Sequence, residues 1–367
     1  MAKQQIQTNK IRIALNGLGR IGRIFLRQAW NNPHFEIAAL HSRSGLEMYA
    51  HLLKYDSTYG IWDKDVQVRG NNLIIDGKKF PFVSDEGGKL PWKKMKIDVV
   101  IDATGRYTKQ ADAVKHLEDG AKFMVCTAPM DDADETFVYA ANHEKFNPEI
   151  HKIISAGSCT TVCSTLTIKV LEETFGINQA FINTVHAYTS DQMLLDGSHK
   201  DLRRARGAAQ SIIPTSSGVS KTITGLYPHL KGKISALALR VPVPDPSIVV
   251  LTAELKKPVD EKKLKAAFEK AAAGELKNHL AVSNLPLVSI DFKQNSHGAT
   301  VDLYSSTVVN SHFVNMLSWY DNEWGYVHQT MLLLEYLAKR IASFKIRQEK
   351  VAMKEAAKPK RELVRVK

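Results

Sequence analysis

Cysteine is scarce in this chain. Cys126, Cys159 and Cys163 are the whole supply in 367 residues. An odd trio excludes a disulfide framework and makes a reducing cytoplasm the expected compartment. No apolar run approaches the roughly 18 residues that a membrane helix needs, so membrane insertion is not expected. The polar opening, Met1 to Lys10, lacks the apolar core of a signal peptide. Internal repeats and low-complexity linkers are absent too. Acidic residues are outnumbered, 38 against 50 Lys and Arg, which leaves a formal charge of +12. What remains is ordinary for a globular chain, 44% hydrophobic and 24% charged. Its length suits about two domains.

Glycine clusters where chemistry would need it. Asn16-Gly17-Leu18-Gly19-Arg20-Ile21-Gly22 has the pattern of a dinucleotide-binding turn. The alternating stretch at 11–15 reads as a strand entering that turn, 20–30 as a helix leaving it, and 35–40 as a second strand. A GxGxxG motif inside such a βαβ unit is a strong signal, whereas alone it is weak. Gly22 opens the helix, where a side chain would block close packing on the strand. The buried-strand run at 97–102 ends at Ala103-Thr104-Gly105, where a ligand would lie beyond the strand's carboxyl end. Residues 122–126 form a further strand, closed by Thr127-Ala128-Pro129.

The second chemistry is nucleophilic. Cys159 lies in Ser158-Cys159-Thr160-Thr161, and His186 follows in Thr184-Val185-His186-Ala187-Tyr188-Thr189. A thiol attacks an aldehyde as thiolate, and an imidazole can take its proton. A nucleophilic thiol plus a nicotinamide cofactor suggests aldehyde oxidation through a thioester. Cys159 falls just before an expected helix, whose N-terminal dipole favours thiolate and oxyanion. Cys163, one turn on, reads as packing; no His or carboxylate pattern completes a metal site.

After Cys159 the pattern changes. Residues 162–175 read as an amphipathic helix. Strand-like runs follow at 179–186, 234–241, 248–255 and 300–309, with a helix at 261–273 among them, and 330–344 reads as a closing helix. The fold class is therefore α/β: a Rossmann-type parallel sheet for the nucleotide, plus an α+β catalytic domain with a mixed or antiparallel sheet. The expected division is 10–158 for the nucleotide domain, completed by the returning segment 322–341, then 159–321 for catalysis and a basic tail at 342–367. Residues 341–367 carry nine Lys and Arg against three Glu, half the net charge. The tail reads as a solvated, frayed end or as a weak contact for a polyanion.

These motifs closely resemble the phosphorylating, thiol-dependent glyceraldehyde-3-phosphate dehydrogenases. Besides those already given, the matching stretches are His51-Leu52-Leu53-Lys54-Tyr55-Asp56-Ser57, Asp201-Leu202-Arg203-Arg204-Ala205-Arg206, Ile213-Pro214-Thr215-Ser216-Ser217-Gly218, Arg240-Val241-Pro242 and Ser318-Trp319-Tyr320-Asp321-Asn322-Glu323. The resemblance covers roughly residues 10–340. It implies a homotetramer that converts glyceraldehyde 3-phosphate and inorganic phosphate to 1,3-bisphosphoglycerate, in glycolysis or in the reductive direction. It makes Cys159 the nucleophile and His186 the base. Thr189 and Arg240 would serve one anion pocket; Ser158, Thr160, Arg204, Ser217 and Gly218 would serve the other. Arg203 and Arg206 read as salt-bridge partners.

For the cofactor, the resemblance implies contacts from Gly17, Gly19, Arg20, Ile21 and Gly22, then from Thr104, Gly105 and Thr127, with Asn322 on the nicotinamide amide and Tyr326 beside it. An acidic residue usually closes an NAD fingerprint after the second strand. Here His41-Ser42-Arg43-Ser44 stands there, with Ser42 at the acidic position. Ser42 would not repel a 2′-phosphate, and Arg43 could pair with it. Gly197-Ser198 points the same way, because NAD-only relatives tend to carry Leu-Pro. Asp85, where many relatives place an Arg, points the other way. NADP, with or without NAD, is the expectation. Two departures flank the nucleophile: Val162 for a usual Asn, and Ala156-Gly157 for Asn-Ala. The alternatives are an erythrose-4-phosphate dehydrogenase and a non-catalytic polyanion-binding protein.

Overall fold

The computed structural model describes residues 10–85 and 87–356. A nine-stranded sheet takes its strands in the order Glu135–Thr136, Ile153–Ser155, Phe123–Cys126, Val99–Asp102, Ile11–Asn16, Phe35–His41, Lys78–Val83, Asn72–Ile75 and Val66–Val68. Pairing is parallel as far as Lys78–Val83 and antiparallel for the last two strands. The central strands are apolar on both faces; Val99–Asp102 and Phe123–Cys126 are wholly buried. Such runs suit parallel strands covered on both sides.

Ile11–Asn16 pairs with Phe35–His41 on one side and with Val99–Asp102 on the other. The chain thus leaves the first strand in one direction and returns on the far side of it. A crevice opens at the carboxyl ends of the two central strands, the place where open α/β sheets bind ligands.

The second sheet has seven strands in the order Ile213–Ser216, Ile234–Val241, Ile177–Ala187, Ser247–Leu255, Phe313–Tyr320, Ala299–Val309 and Leu280–Ser283. It is mixed, as expected. Ser247–Leu255 alternates strictly between buried and half-buried residues, so one face is core and the other is open. The helix Cys159–Thr174 covers the core face. It is not amphipathic as the sequence suggested: residues 160–168 are all buried. The first part of the helix sits between the sheet and the last helix, and only its final turn, with Glu173 and Thr174, reaches the surface.

The closing helix runs Trp324–Ala356, well past the expected ends at 341 or 344. It packs against the helix Arg20–Ala29 and the strand Ile11–Asn16, so it does return to the nucleotide domain. Gln28 Nε2 donates to the Trp324 carbonyl at 3.0 Å, and Asn32 Nδ2 to Glu335 at 2.7 Å. Beyond residue 341 the helix still touches the body. Lys345 Nζ lies 2.6 Å from Asp98, and Lys152 stands over the Phe344 ring. The frayed tail expected from 342 is therefore helical as far as Ala356; residues 357–367 lie outside the described residues.

Candidate active site

The glycine turn shows why its residues are small. Gly17 has φ +99°, and a Cβ there would stand 2.8 Å from the Ala103 carbonyl carbon and 2.9 Å from Thr104 Cγ2. A Cβ on Gly22 would stand 1.9 Å from the Gly17 carbonyl oxygen. A Cβ on Gly19 would meet nothing within 4 Å, because that face looks into the crevice. The helix after the turn begins at Arg20, so the N–H groups of its first turn are available to an anion. The Arg20 side chain points elsewhere, to Asp56 and Glu323.

The crevice encloses about 210 Å³ between Asn16, Gly17, Leu18, Gly19, Ser42 and Thr104. Its floor is a buried polar network. Asn16 Nδ2 donates to Asp102 at 2.6 Å, and His41 Nδ1 lies 2.6 Å from Asn16 Oδ1. Thr104 Oγ1 donates to Asp102 at 2.8 Å, and Trp92 Nε1 to His116 at 3.1 Å. Gly105 has φ +68° and follows directly. Thr127 spends both its N–H and its hydroxyl on the Asp102 carbonyl, at 2.9 Å each, so it fixes the strand end.

Ser42 lies at the rim, accepting from Leu18 N at 3.4 Å and donating to Tyr49 at 2.6 Å. Arg43 is exposed beside it. A second cleft of about 450 Å³ continues past both residues to Asp85 and Lys115. Ser198 is exposed in the segment after His186 and is not among the residues lining either cleft.

Cys159 is the first residue of its helix. Ser158 caps that helix, its hydroxyl accepting from Thr161 N at 3.1 Å. A serine cap of this kind satisfies one orphan N–H and fixes the start of the helix. Gly157, at φ +66°, makes the turn before it, and Tyr326 donates to the Gly157 carbonyl at 3.0 Å. Tyr326 therefore holds the loop that presents the nucleophile. Val162 fits because the residue facing it is Gly298: a Cβ there would stand 2.6 Å from Val162 Cγ1. Cys163 is buried, as a packing residue should be.

The Cys159 sulfur lies 3.4 Å from His186 Nε2. His186 Nδ1 lies 2.7 Å from the Ala187 carbonyl and 2.7 Å from Arg240 Nη1. Burial pushes the Cys159 thiol up to about 11, with partial relief from Arg240. Burial first, then the Arg240 charge, hold His186 down to about 3. Near pH 7 the pair is therefore a neutral thiol beside a neutral imidazole, a base able to accept a proton.

The anion-binding candidates divide. Arg240 is half-buried, points at the pair, and leaves its Nε without a partner among the described residues. Thr189 follows the neighbouring strand Ile177–Ala187, which carries His186. Arg204 is close enough to lower the His186 pKa, yet it is tied to Asp191 and lies 3.6 Å from Asp201. Gly218 caps the helix Val219–Leu226, with Ser217 beside it. Thr160 faces inward, its hydroxyl 3.0 Å from Tyr320. Arg206 is a salt-bridge partner as expected, 2.9 Å from Asp196. Arg203, expected as a salt-bridge partner, forms no ion pair among the described residues; its N–H donates to Asp201 and its carbonyl accepts from Arg206 N.

Tyr320 and Ser247 escaped the sequence reading. Tyr320 joins Thr160 to Thr184, at 3.0 and 2.8 Å, and its ring stands edge-on to His186. Ser247 accepts from Ala187 N at 3.0 Å and donates to Asn322 Oδ1 at 2.8 Å, and the Asn322 amide N–H groups have no partner among the described residues. Their signal was faint: a hydroxyl at a core-facing position of an alternating strand.

A Rossmann-type domain joined to a second domain in which a helix-borne cysteine meets a histidine of the mixed sheet defines a thiol-dependent dehydrogenase. The model of the glyceraldehyde 3-phosphate dehydrogenase NAD binding domain matches residues 11–110, and that of the C-terminal domain matches 158–322. The chain belongs to the glyceraldehyde-3-phosphate dehydrogenase family. It is 45% identical to the glyceraldehyde-3-phosphate dehydrogenase of Geobacillus stearothermophilus over 331 residues, 90% of this chain and 99% of the relative. It is 44% identical to glyceraldehyde-3-phosphate dehydrogenase 1 of Bacillus subtilis (strain 168), with the same coverage. It is 43% identical to the chloroplastic glyceraldehyde-3-phosphate dehydrogenase A of Zea mays, over 90% of this chain and 83% of the relative.

Proposed function

We propose that this chain is an NAD(P)-dependent phosphorylating glyceraldehyde-3-phosphate dehydrogenase. The observation that carries the reading is the 3.4 Å approach of Cys159 and His186 in a member of this family. Cys159 sulfur bonds to the aldehyde carbon while its proton passes to His186 Nε2. His186 returns that proton to the carbonyl oxygen, which completes the hemithioacetal, and the neutral imidazole then takes the hydroxyl proton as the hydride departs. The nicotinamide, when bound, accepts the hydride, and a thioester remains on Cys159. A phosphate oxygen attacks the thioester carbon, and the departing thiolate leaves an acyl phosphate. The alternative of an erythrose-4-phosphate substrate gains nothing from the family match.

The site roles are part of the proposal. Arg240 and Thr189 take one phosphate; Ser158, Thr160, Arg204, Ser217 and Gly218 take the other. Arg supplies charge-assisted donors, and hydroxyl and glycine N–H groups supply uncharged ones. Arg204 must then exchange carboxylates for phosphate. Gly17, Gly19, Arg20 N, Ile21 N and Gly22 hold the pyrophosphate; Thr104, Gly105 and Thr127 shape the crevice, and Asn322 anchors the carboxamide. The domains are 10–158 with the returning helix, and 159–321.

We read the cofactor as NADP at least as well as NAD, through Ser42 and Arg43. Ser198 can take part only from outside the cleft of its own chain. We further read the protein as a cytoplasmic homotetramer. Phe181, Leu237 and Phe313 are exposed on the open face of the second sheet, and Leu194, Leu195 and Leu202 are exposed after His186. Apolar patches of this kind mark contact surfaces. The basic tail remains a candidate for weak polyanion contact. Absorbance assays with glyceraldehyde 3-phosphate, with and without phosphate and with each cofactor, test the activity. Equal turnover without phosphate would reject the phosphorylating reading.

A further inference from the structure

Asp245 lies in the link between Ile234–Val241 and Ser247–Leu255 and is 2% exposed. Neither of its carboxyl oxygens has a hydrogen-bond partner among the described residues. Ser247 pairs with Tyr320 in antiparallel register, which brings Asp245 against the Asp321–Asn322 step, and the groups beside it are the Asp321 carboxyl and the Asn322 N–H. Asp321 is 0% exposed and well supplied with donors. Its Oδ1 accepts from Tyr59 OH at 2.9 Å, Glu323 N at 2.9 Å and Trp324 N at 2.6 Å. Its Oδ2 accepts from Gln294 N at 2.8 Å. Those donors stabilise a charge on Asp321; none of them serves Asp245.

Two adjacent buried carboxyls cannot both ionise cheaply. The other ionisable groups around them do not help. Glu323 adds like charge, and Arg20, which stands over the Tyr59 ring, is already engaged by Glu323 and Asp56. Tyr59 keeps its proton, held by burial and by the carboxylates. A protonated Asp245 resolves the arrangement, because its hydroxyl can donate to Asp321.

We propose that Asp245 is a positioning residue whose neutral carboxyl hydrogen-bonds Asp321 and so holds the neighbouring Asn322 in register for the cofactor. The proposal rests on the nicotinamide-anchoring role read above for Asn322. The Asp321–Asn322 step joins the strand Phe313–Tyr320 to the helix Trp324–Ala356, and Asn322 is otherwise held by Ser247. When the proton is lost to solvent, two carboxylates face each other beneath that step. Burial, then Asp321, push the Asp245 carboxyl up to about 9 from its ordinary 3.8.

The sign follows from linkage. The folded protein keeps a proton that the unfolded chain has lost. Stability from this group is full below pH 3.8 and declines as pH rises to about 9. Within the folded protein, the proton itself leaves near the upper limit.

Two measurements on the full chain test the proposal, using wild type, Asp245→Asn and Asp321→Asn. The first is the Tm of the cofactor-free protein between pH 5 and 10. Asp245→Asn keeps a donor and cannot ionise, so its Tm should gain on wild type steadily with pH and level off near the upper limit. The underlying change is about tenfold per pH unit in the relative unfolding constant. Asp321→Asn should flatten the same dependence by removing the opposing charge. The second is the Kd of NAD and of NADP by fluorescence titration. Between pH 7.5 and 10, wild type should lose about tenfold in affinity and Asp245→Asn less than twofold, one proton accounting for up to tenfold per unit above its pKa. A parallel Tm dependence in wild type and Asp245→Asn would overturn the shared proton. The expected Tm result with equal loss of affinity in both proteins would keep the proton and overturn the link to Asn322.

Discussion

The Cys159 sulfur and His186 Nε2 stand 3.4 Å apart, while the far nitrogen of the same ring faces both a carbonyl and a guanidinium. The heavy-atom geometry suits two neutral tautomers. In one, Nδ1–H donates to the Ala187 carbonyl and Nε2 accepts from the thiol. In the other, Arg240 donates to Nδ1 and Nε2–H meets a thiolate. Arg240 thus bears on both partners of the pair.

Cys159→Ser should lose nearly all dehydrogenase activity and keep cofactor binding, since an alkoxide is far scarcer than a thiolate at neutral pH. His186→Asn should slow turnover by about 10²–10⁴-fold, the range for a general base. Steady-state rates with intact cofactor titration check both, and near-normal turnover in either variant would reject the thioester route.

The lowered His186 pKa has a stability consequence. A buried neutral imidazole contributes stability above its ordinary 6.5 that is lost as pH falls toward about 3. His186→Asn should therefore shrink the acid loss of Tm between pH 6.5 and 4. An unchanged acid limb would place the sensitive group elsewhere.

Arg240→Ala and Arg204→Ala should each weaken productive use of phosphorylated substrate by about 1.5–3 kcal/mol, the scale of a charged hydrogen bond. Arg240→Ala should also slow alkylation of Cys159 near pH 8, because the thiolate loses its nearest cation. Kinetics against aldehyde and phosphate separately would show which pocket each arginine serves.

Ser42→Asp should turn the cofactor preference toward NAD by restoring a ribose acceptor and a repulsive charge. One charge-assisted contact is worth about 1.5–3 kcal/mol, so the parent preference can reach roughly tenfold to a hundredfold. Added salt should weaken NADP more than NAD. A parent enzyme that barely uses NADP at low salt would defeat the Ser42–Arg43 argument and direct attention to Asp85.

Removing residues 357–367 should leave fold and turnover intact and lower affinity for polyanions in a salt-dependent way. Cutting at residue 345 should cost somewhat more, because Lys345 pairs with Asp98. Lys122 and the Arg12 N–H still reach Asp98, so the added loss should stay below about 1 kcal/mol. Aggregation of the shorter form would show that the helix end holds the body together.

Local pattern determined much of this protein. Alternating and continuous apolar runs marked most strands, because a strand's two faces are written directly in its residue order. The turn from Asn16 to Gly22 announced a crevice, since only glycine tolerates the close approaches at positions 17 and 22. Short linear motifs named Cys159, His186 and Arg240. Sequence order could not say that Tyr320 would join Thr160 to Thr184 across more than a hundred residues, nor that Gly298 would make room for Val162. It missed the helix's extension to Ala356, which Asp98 and Lys152 help to seat. It gave no hint that Asp245 and Asp321 would be buried together. Those facts depend on which distant surfaces meet, and charge and packing act through space rather than along the chain.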